Sequence, residues 1–204
     1  MAITTDVPTR SDDVPPARVF RRAKPIDAVD LALDTFGREA RVDMQVLAAE
    51  LDVSPATLYR WFGSRAQLLD QVCGHLAEAF TAAARDEARG EGDERVCDYA
   101  RRAMTTSSSF APIRSFVGRE PQLALRLLLG KDGAVQRVVT EQTRALIADT
   151  RSADEADQLE RPIHLMVQTA TALVWATFMV GDEPEIDSAV EIIRMVLASS
   201  HAAG

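Results

Sequence analysis

The chain is poor in the residues that carry out most chemistry. Among 204 residues it has two cysteines, Cys73 and Cys97, and three histidines. The cysteines lack metal-ligand spacing, so they read as reduced, mostly buried thiols rather than as a zinc site or a disulfide. The sequence holds no HExxH or CxxC motif, no nucleophile elbow and no phosphate-binding glycine loop. An enzyme is therefore not expected, and no cofactor or metal is implied. The acidic pairs Asp12–Asp13 and Asp182–Glu183 read as solvated surface. No apolar run approaches the roughly 20 residues of a membrane span. The longest, near residues 173–180, reads as a buried helix. The N-terminus is polar and acidic, with no signal peptide visible. A cytoplasmic protein with no membrane partner is expected. Lysine is scarce as well, 2 against 21 arginines, which is a mark of codon composition rather than of chemistry.

What is present is ordinary in amount and uneven in place. Hydrophobic residues make up 47% and charged residues 26%, with a net charge of -8. That suits a globular protein with a substantial core. Residues 1–65 carry 9 basic and 10 acidic side chains, a net of -1, whereas residues 66–204 carry 14 and 21, a net of -7. Within this acidic chain, residues 53–69 contain no acid at all. A local acid-free window suggests a surface that meets a polyanion.

That window lies in residues 42–69, VDMQVLAAELDVSPATLYRWFGSRAQLL. From Met44 the apolar positions fall at Leu47, Leu51, Val53, Leu58 and Trp61, with the small Ala48 where two helices must cross closely. This is the residue order of a helix-turn-helix. Asp43 is a plausible N-cap for its first helix. Ser54 is a good N-cap for its second, and Pro55 sits at the first helical position, where a missing N–H costs nothing. The face left unpacked carries Ala56, Thr57, Tyr59, Arg60 and Trp61.

The segment LAAELDVSPATLYRWFGSRAQLL resembles the DNA-binding signature of the TetR family of bacterial repressors, and the likeness extends over residues 26–69. TLYRWF followed by a basic residue at Arg65 is its most specific part. Two positions depart from the pattern: Asp52 stands where the family often has Gly, and Trp61 where it often has His. The resemblance implies an all-α homodimer that binds a double-stranded, palindromic operator and responds to a small-molecule effector. Ser54 and nearby backbone N–H groups are expected to hold a phosphate at the helix N-terminus. Thr57 and Tyr59 are expected at phosphate and sugar, and Arg60 at a base edge, where an Arg reads guanine bidentately. Arg65 and, more weakly, Gln45 are expected at phosphate. The short basic arm at residues 18–24, including Arg21, Arg22 and Lys24, is expected along the backbone or in the minor groove.

Everything else reads as helix, with no period-two run and no repeat. Residues 1–17, rich in Pro, Asp, Thr and Ser, read as a disordered tail. Residues 18–69 form the expected DNA-binding domain, opened by a helix at Pro25 and closed near Gly37. Residues 70–204 form the expected ligand-binding and dimerisation domain. Within it helices are expected at 65–89, 95–108, 121–129, 134–150, 155–180 and 185–200. Breaks are expected at 90–94 and 107–112, with a short helix or turn at 113–118 and a kink at Pro162.

Leu165, Leu173, Val174, Ile192 and Met195 are expected in core or dimer interface. His164, Gln168, Thr171, Trp175 and Phe178 recur at steps of four, three, four and three. They form a mixed polar and aromatic stripe suited to a small-molecule pocket, with Phe80, Met104, Phe110 and Phe116 as further lining candidates. RSFVGREPQLALRLL, residues 114–128, bears a weaker resemblance to regulators of quorum-signal or lactone degradation, which implies a mostly apolar effector such as a lactone. The alternatives are an activator, a ligand-independent regulator, or a helical scaffold with a vestigial helix-turn-helix.

Overall fold

The computed structural model describes residues 23–151 and 160–201, and among them lie ten helices and no strand. Arg21 and Arg22 lie outside the described residues, as does the expected tail. The head is built from α1 (Pro25–Gly37), α2 (Met44–Glu50) and α3 (Pro55–Phe62). They bury Val29, Ala32 and Phe36 against Met44, Leu47 and Ala48, and these against Leu58 and Phe62. The small Ala48 is buried, which lets α2 and α3 cross closely.

Local chemistry sets the head's helix ends. The Asp43 carboxylate accepts the Gln45 and Val46 N–H groups at 2.8 and 3.3 Å. These bonds, Gln45 first, hold its carboxyl below the usual range. After α2 the Val53 N–H donates to the Ala48 carbonyl and the Asp52 N–H to the Ala49 carbonyl, a Schellman closure. It requires Asp52 in the left-handed region, at φ 52°. The first helix closes in the same way two residues beyond the expected Gly37. There Glu39 takes φ 57°, while Gly37 is the last helical residue.

The long α4 (Arg65–Glu87) leaves the head and enters the body, so the division expected between residues 69 and 70 falls inside one helix. The body adds α5 (Gly92–Ser109), α6 (Ala111–Arg119), α7 (Pro121–Leu129), α8 (Ala134–Thr150), α9 (Glu160–Val180) and α10 (Ile186–His201), of which α5, α7 and α8 pack against α4. Asp70 on α4 accepts the Ala134 N–H at 3.1 Å and so caps α8 from outside. One turn on, a Cβ on Gly74 would stand 2.8 Å from the Ala134 Cβ, so α4 and α8 meet where only Gly fits. One apolar cluster runs from the head into α6–α9, with the Phe36 and Phe116 rings edge-on at 5.5 Å. A second joins α5, α8, α9 and α10 at the far end.

Several expected boundaries differ. The break at 90–94 is shorter, because Asp93 and Glu94 lie in the first turn of α5, where acids suit the helix dipole. The loop at 107–112 is replaced by a single extended residue, Phe110, between α5 and α6, and Pro112 sits in the first turn of α6. Pro162 lies in the first described turn of α9, and the start of the expected 155–180 helix, at 155–159, lies outside the described residues. The apolar stretch of α9 is also longer than expected. Arg161–Val180 is long and apolar enough to cross a membrane by length and composition, with mean hydropathy 1.5. It packs against α5, α7, α8 and α10 on one side and leaves Leu165 and Val180 exposed on the other.

The left-handed Asp52 yields a stability prediction. Asp52→Gly removes the Cβ strain and should raise stability by about 0.5–1 kcal/mol. Thermal melting should show a rise of roughly 2–4 °C. An unchanged or lower melting temperature would mean that the Asp52 side chain itself holds the turn.

Candidate nucleic-acid interface and internal cavity

Helix α3 presents its exposed face from a well-fixed start. Ser54 Oγ accepts the Thr57 N–H at 3.2 Å and shares a second hydrogen bond with Thr57 Oγ1 at 3.0 Å. Thr57 is therefore tied to the cap and half-buried, beside the exposed Pro55 and Ala56. Tyr59 and Arg60 are exposed, Tyr59 by 49%. Lys24, Ser54, Thr57, Arg60 and Trp61 line one open depression between the start of α1 and α3. Two cations from separate helices thus converge on it, together with the carboxylate-bearing Asp52. Trp61 is not free-standing. It is half-buried, packs against the head's core and meets Phe62 edge-on at 6.4 Å, so its ring walls the depression. Gln45 is exposed at the start of α2.

Arg65 is a correction. Its guanidinium was expected at phosphate, yet it is committed within the protein. Nε donates to the Val42 carbonyl at 2.5 Å, and NH1 and NH2 donate to the two Glu120 carboxylate oxygens at 2.7 Å each. Its side chain is only 21% exposed. Sequence reasoning missed Glu120, which stands at the junction of α6 and α7, 55 residues away, with no local pattern to announce it. Arg119 donates to the Glu39 carbonyl beside it. The Arg65 hydrogen bonds hold the Glu120 carboxyl below its usual range, with Arg41 and Arg119 adding to the effect.

Inside the body α4–α9 line a cavity of ≈ 80 Å³. Phe80, Met104, Thr171 and Trp175 line it, together with Cys73, Ala77, Thr81, Ser107, Ile113, Leu128 and Val139. Phe110 and Phe178 form a layer behind this wall, edge-on to Phe80 at 5.3 Å and to Trp175 at 6.2 Å. The Arg114 guanidinium lies 4.6 Å from the Phe178 ring centre. Phe116 does not line the cavity, because it packs under the head against Phe36. His164 and Gln168 do not line it either. The inner face of α9 centres on Val167, Ala170 and Val174, about a quarter turn from the expected stripe, so only Thr171 and Trp175 reach the cavity. Burial pushes the Cys73 thiol up to about 12, with Asp70 adding to the effect, so the cavity wall there is a neutral S–H.

A helix-turn-helix head joined by one continuous helix to a hollow helical body defines a two-part helical protein of the regulator type. Residues 91–198 match the family described as "Tetracyclin repressor-like, C-terminal domain". The chain belongs to the TetR family. The HTH-type transcriptional repressor KstR of Mycobacterium tuberculosis is 32% identical over 157 residues, which is 74% of this chain and 59% of that protein. The chain thus spans about three-fifths of that curated relative. The solved structure of the TetR-family transcriptional repressor QsdR from R. erythropolis superposes with a TM-score of 0.78 at 26% identity, covering 85% of this chain and 94% of that one. The repressor AlkX from Dietzia sp. strain DQ12-45-1b shares the fold, with a TM-score of 0.62 at 21% identity over 89% of this chain and 98% of that one.

Glu120→Gln should weaken the joint between head and body. A lost charge-assisted pair at a mostly buried Arg costs about 1–3 kcal/mol, measurable as a lower denaturation midpoint at neutral pH. Because the Glu120 carboxyl is held low, its contribution is present above the unfolded value and is lost as pH falls through the folded one. The gap between the wild type and Glu120→Gln should therefore be constant near neutrality and close below about pH 4. A gap that persists in acid would assign the effect to packing instead.

Proposed function

We propose that the protein is a cytoplasmic, ligand-responsive transcriptional repressor that binds operator DNA as a homodimer. Residues 18–69 serve as the DNA reader and residues 70–204 as the effector-binding and dimerisation body. The observation that carries this reading is the exposed face of α3. Its capped N-terminus, acid-free surface and outward Tyr59 and Arg60 suit a major groove, and Lys24 flanks them. Arg60 takes the base edge, while Ser54, Thr57 and Tyr59 take phosphate and sugar.

Two copies are needed to span successive turns of a duplex, with reading helices roughly 34–36 Å apart. The outer faces of α9 and α10 support such pairing. Leu165, Met195 and Val180 are 54%, 55% and 75% exposed, and a second copy of this surface would cover them. Val174, by contrast, is core.

The cavity supports the effector part of the reading. Ile113 on α6 and Leu128 on α7 line it on either side of Glu120, and α4 lines it from Cys73 to Thr81, roughly 12–24 Å along the helix from Arg65. A ligand that prefers a different setting of α6 and α7 shifts Glu120, hence Arg65 and the head. The spacing of the two reading helices then mismatches the operator. The ligand is small, uncharged and mostly apolar, and a lactone is one such molecule.

An anisotropy titration with DNA from just upstream of the gene, at two salt concentrations, tests the DNA reading. Arg60→Ala should cost about 1–3 kcal/mol of specific binding, and affinity should fall steeply with salt. Binding unchanged by Arg60→Ala and by Tyr59→Phe would favour the scaffold alternative. Leu165→Glu with Met195→Glu should yield monomers by sedimentation and lose tight operator binding while the helical content stays intact. Dimers surviving that double change would place the interface elsewhere.

A further inference from the structure

The body holds a second, smaller chamber below the first, of ≈ 50 Å³, walled by α5, α8, α9 and α10. The two chambers share Ala103, Met104, Val139 and Thr171 as common walls. Their lining follows successive turns of the same helices: Ser107 to Val96 on α5, Val135 to Thr143 on α8, Trp175 to Met166 on α9. At 1.5 Å per residue these stretches correspond to a channel of about 12–16 Å. Among the described residues, no charged side chain and no His lines either chamber.

The polar groups differ between the two ends. In the upper chamber the hydroxyls of Thr81, Ser107 and Thr171 donate to their own helix carbonyls, of Ala77, Met104 and Val167. In the lower chamber Tyr99 is 2% exposed and its hydroxyl has no protein hydrogen-bond partner. Burial pushes the Tyr99 phenol up, while Thr143, out of hydrogen-bond geometry, and the charge of Arg85 pull it down. Arg85 is ion-paired to Asp149 and does not line the chamber. A buried donor left unmatched is unfavourable, and a ligand acceptor placed there would relieve it.

We propose that the two chambers form one elongated site for a linear, uncharged aliphatic molecule whose single hydroxyl, ether or carbonyl oxygen accepts the Tyr99 hydrogen bond. The assignment rests on the effector reading of the upper cavity and gives it a ligand class. The apolar walls take the chain. A carboxylate or ammonium is excluded because no counter-charge lines the channel to offset its desolvation. Tyr99 sets the polar end, and Met104 with Val139 forms the waist between the chambers.

The test uses the full chain carrying Trp61→Phe, which leaves Trp175 in the upper chamber as the single tryptophan. Its fluorescence is titrated with hexanol, decanol, decane and sodium decanoate. Decanol should bind at least tenfold more tightly than decanoate at neutral pH. Tyr99→Phe should bind decanol about five- to tenfold more weakly and decane equally well, with an unchanged or higher melting temperature. Ala100→Leu, which fills only the lower chamber, should lose decanol and keep hexanol. Equal loss of decane and decanol in Tyr99→Phe, decanoate binding as tightly as decanol, or no change of length preference in Ala100→Leu would each overturn the proposal. Operator release is read separately. If decanol binds and DNA stays bound, the effector reading fails while the site stands. If another molecule releases DNA and neutral chains do not bind, the site assignment fails while the effector reading stands.

Discussion

The fork of Arg65 on Glu120 is the contact on which the arrangement of head and body depends. A guanidinium offers donors in one plane, and a carboxylate accepts two of them in parallel, so the pair fixes orientation as well as distance. Here the third contact, Nε to the Val42 carbonyl, reaches into the connection before α2. One side chain at the first position of α4 therefore binds the helix-turn-helix to the α6–α7 corner. The pair is sheltered enough to be little screened, and both partners are engaged, so neither charge is left stranded. Because Arg65 begins the helix that also lines the cavity, head and cavity share a rigid lever.

The body combines a sparse interior with an apolar exterior, and both matter for the proposed regulator. Its interior is ringed by Phe80, Met104 and Trp175 with an outer layer of Phe110 and Phe178, so aromatic edges support a space that close packing would otherwise fill. Its exterior along α9 and α10 keeps large aliphatic side chains in contact with water. The high hydropathy of α9 follows from serving two apolar surfaces at once, the chamber wall inside and the unpartnered face outside. A helix with both sides apolar resembles a membrane span by composition, yet here one side is packed against its own chain.

The head was legible in the sequence because its determinants are local. Asp43, Ser54 and Ser64 each cap a helix within three residues of their own position, and Pro55 sits at a first turn. The left-handed turn at Asp52 was implied by the family resemblance, in which Gly often stands at that position. Periodicity also found the helices of the body, although proline and glycine were read too strongly as breaks. Pro112 fits in a first turn, and Gly92 begins a helix rather than interrupting one. The site residues divide in the same way. The exposed residues of α3 could be picked out from the sequence because one short helix carries them. Arg65, Phe116, His164 and Gln168 were misassigned because partners or facing helices far along the chain decide what each one meets.

By itself, then, the sequence determined the helical class, the caps, the turn and the chemistry of the exposed face of α3, since each depends on hydrogen bonds and spacings within a few residues. Only the tertiary structure decided that Arg65 belongs to Glu120, that the cavity face of α9 lies a quarter turn from its polar stripe, and that the Tyr99 hydroxyl is buried without a protein partner. Those facts depend on the rotation of each helix about its axis, which is set by close packing against several neighbours at once and leaves no trace in the local order of residues.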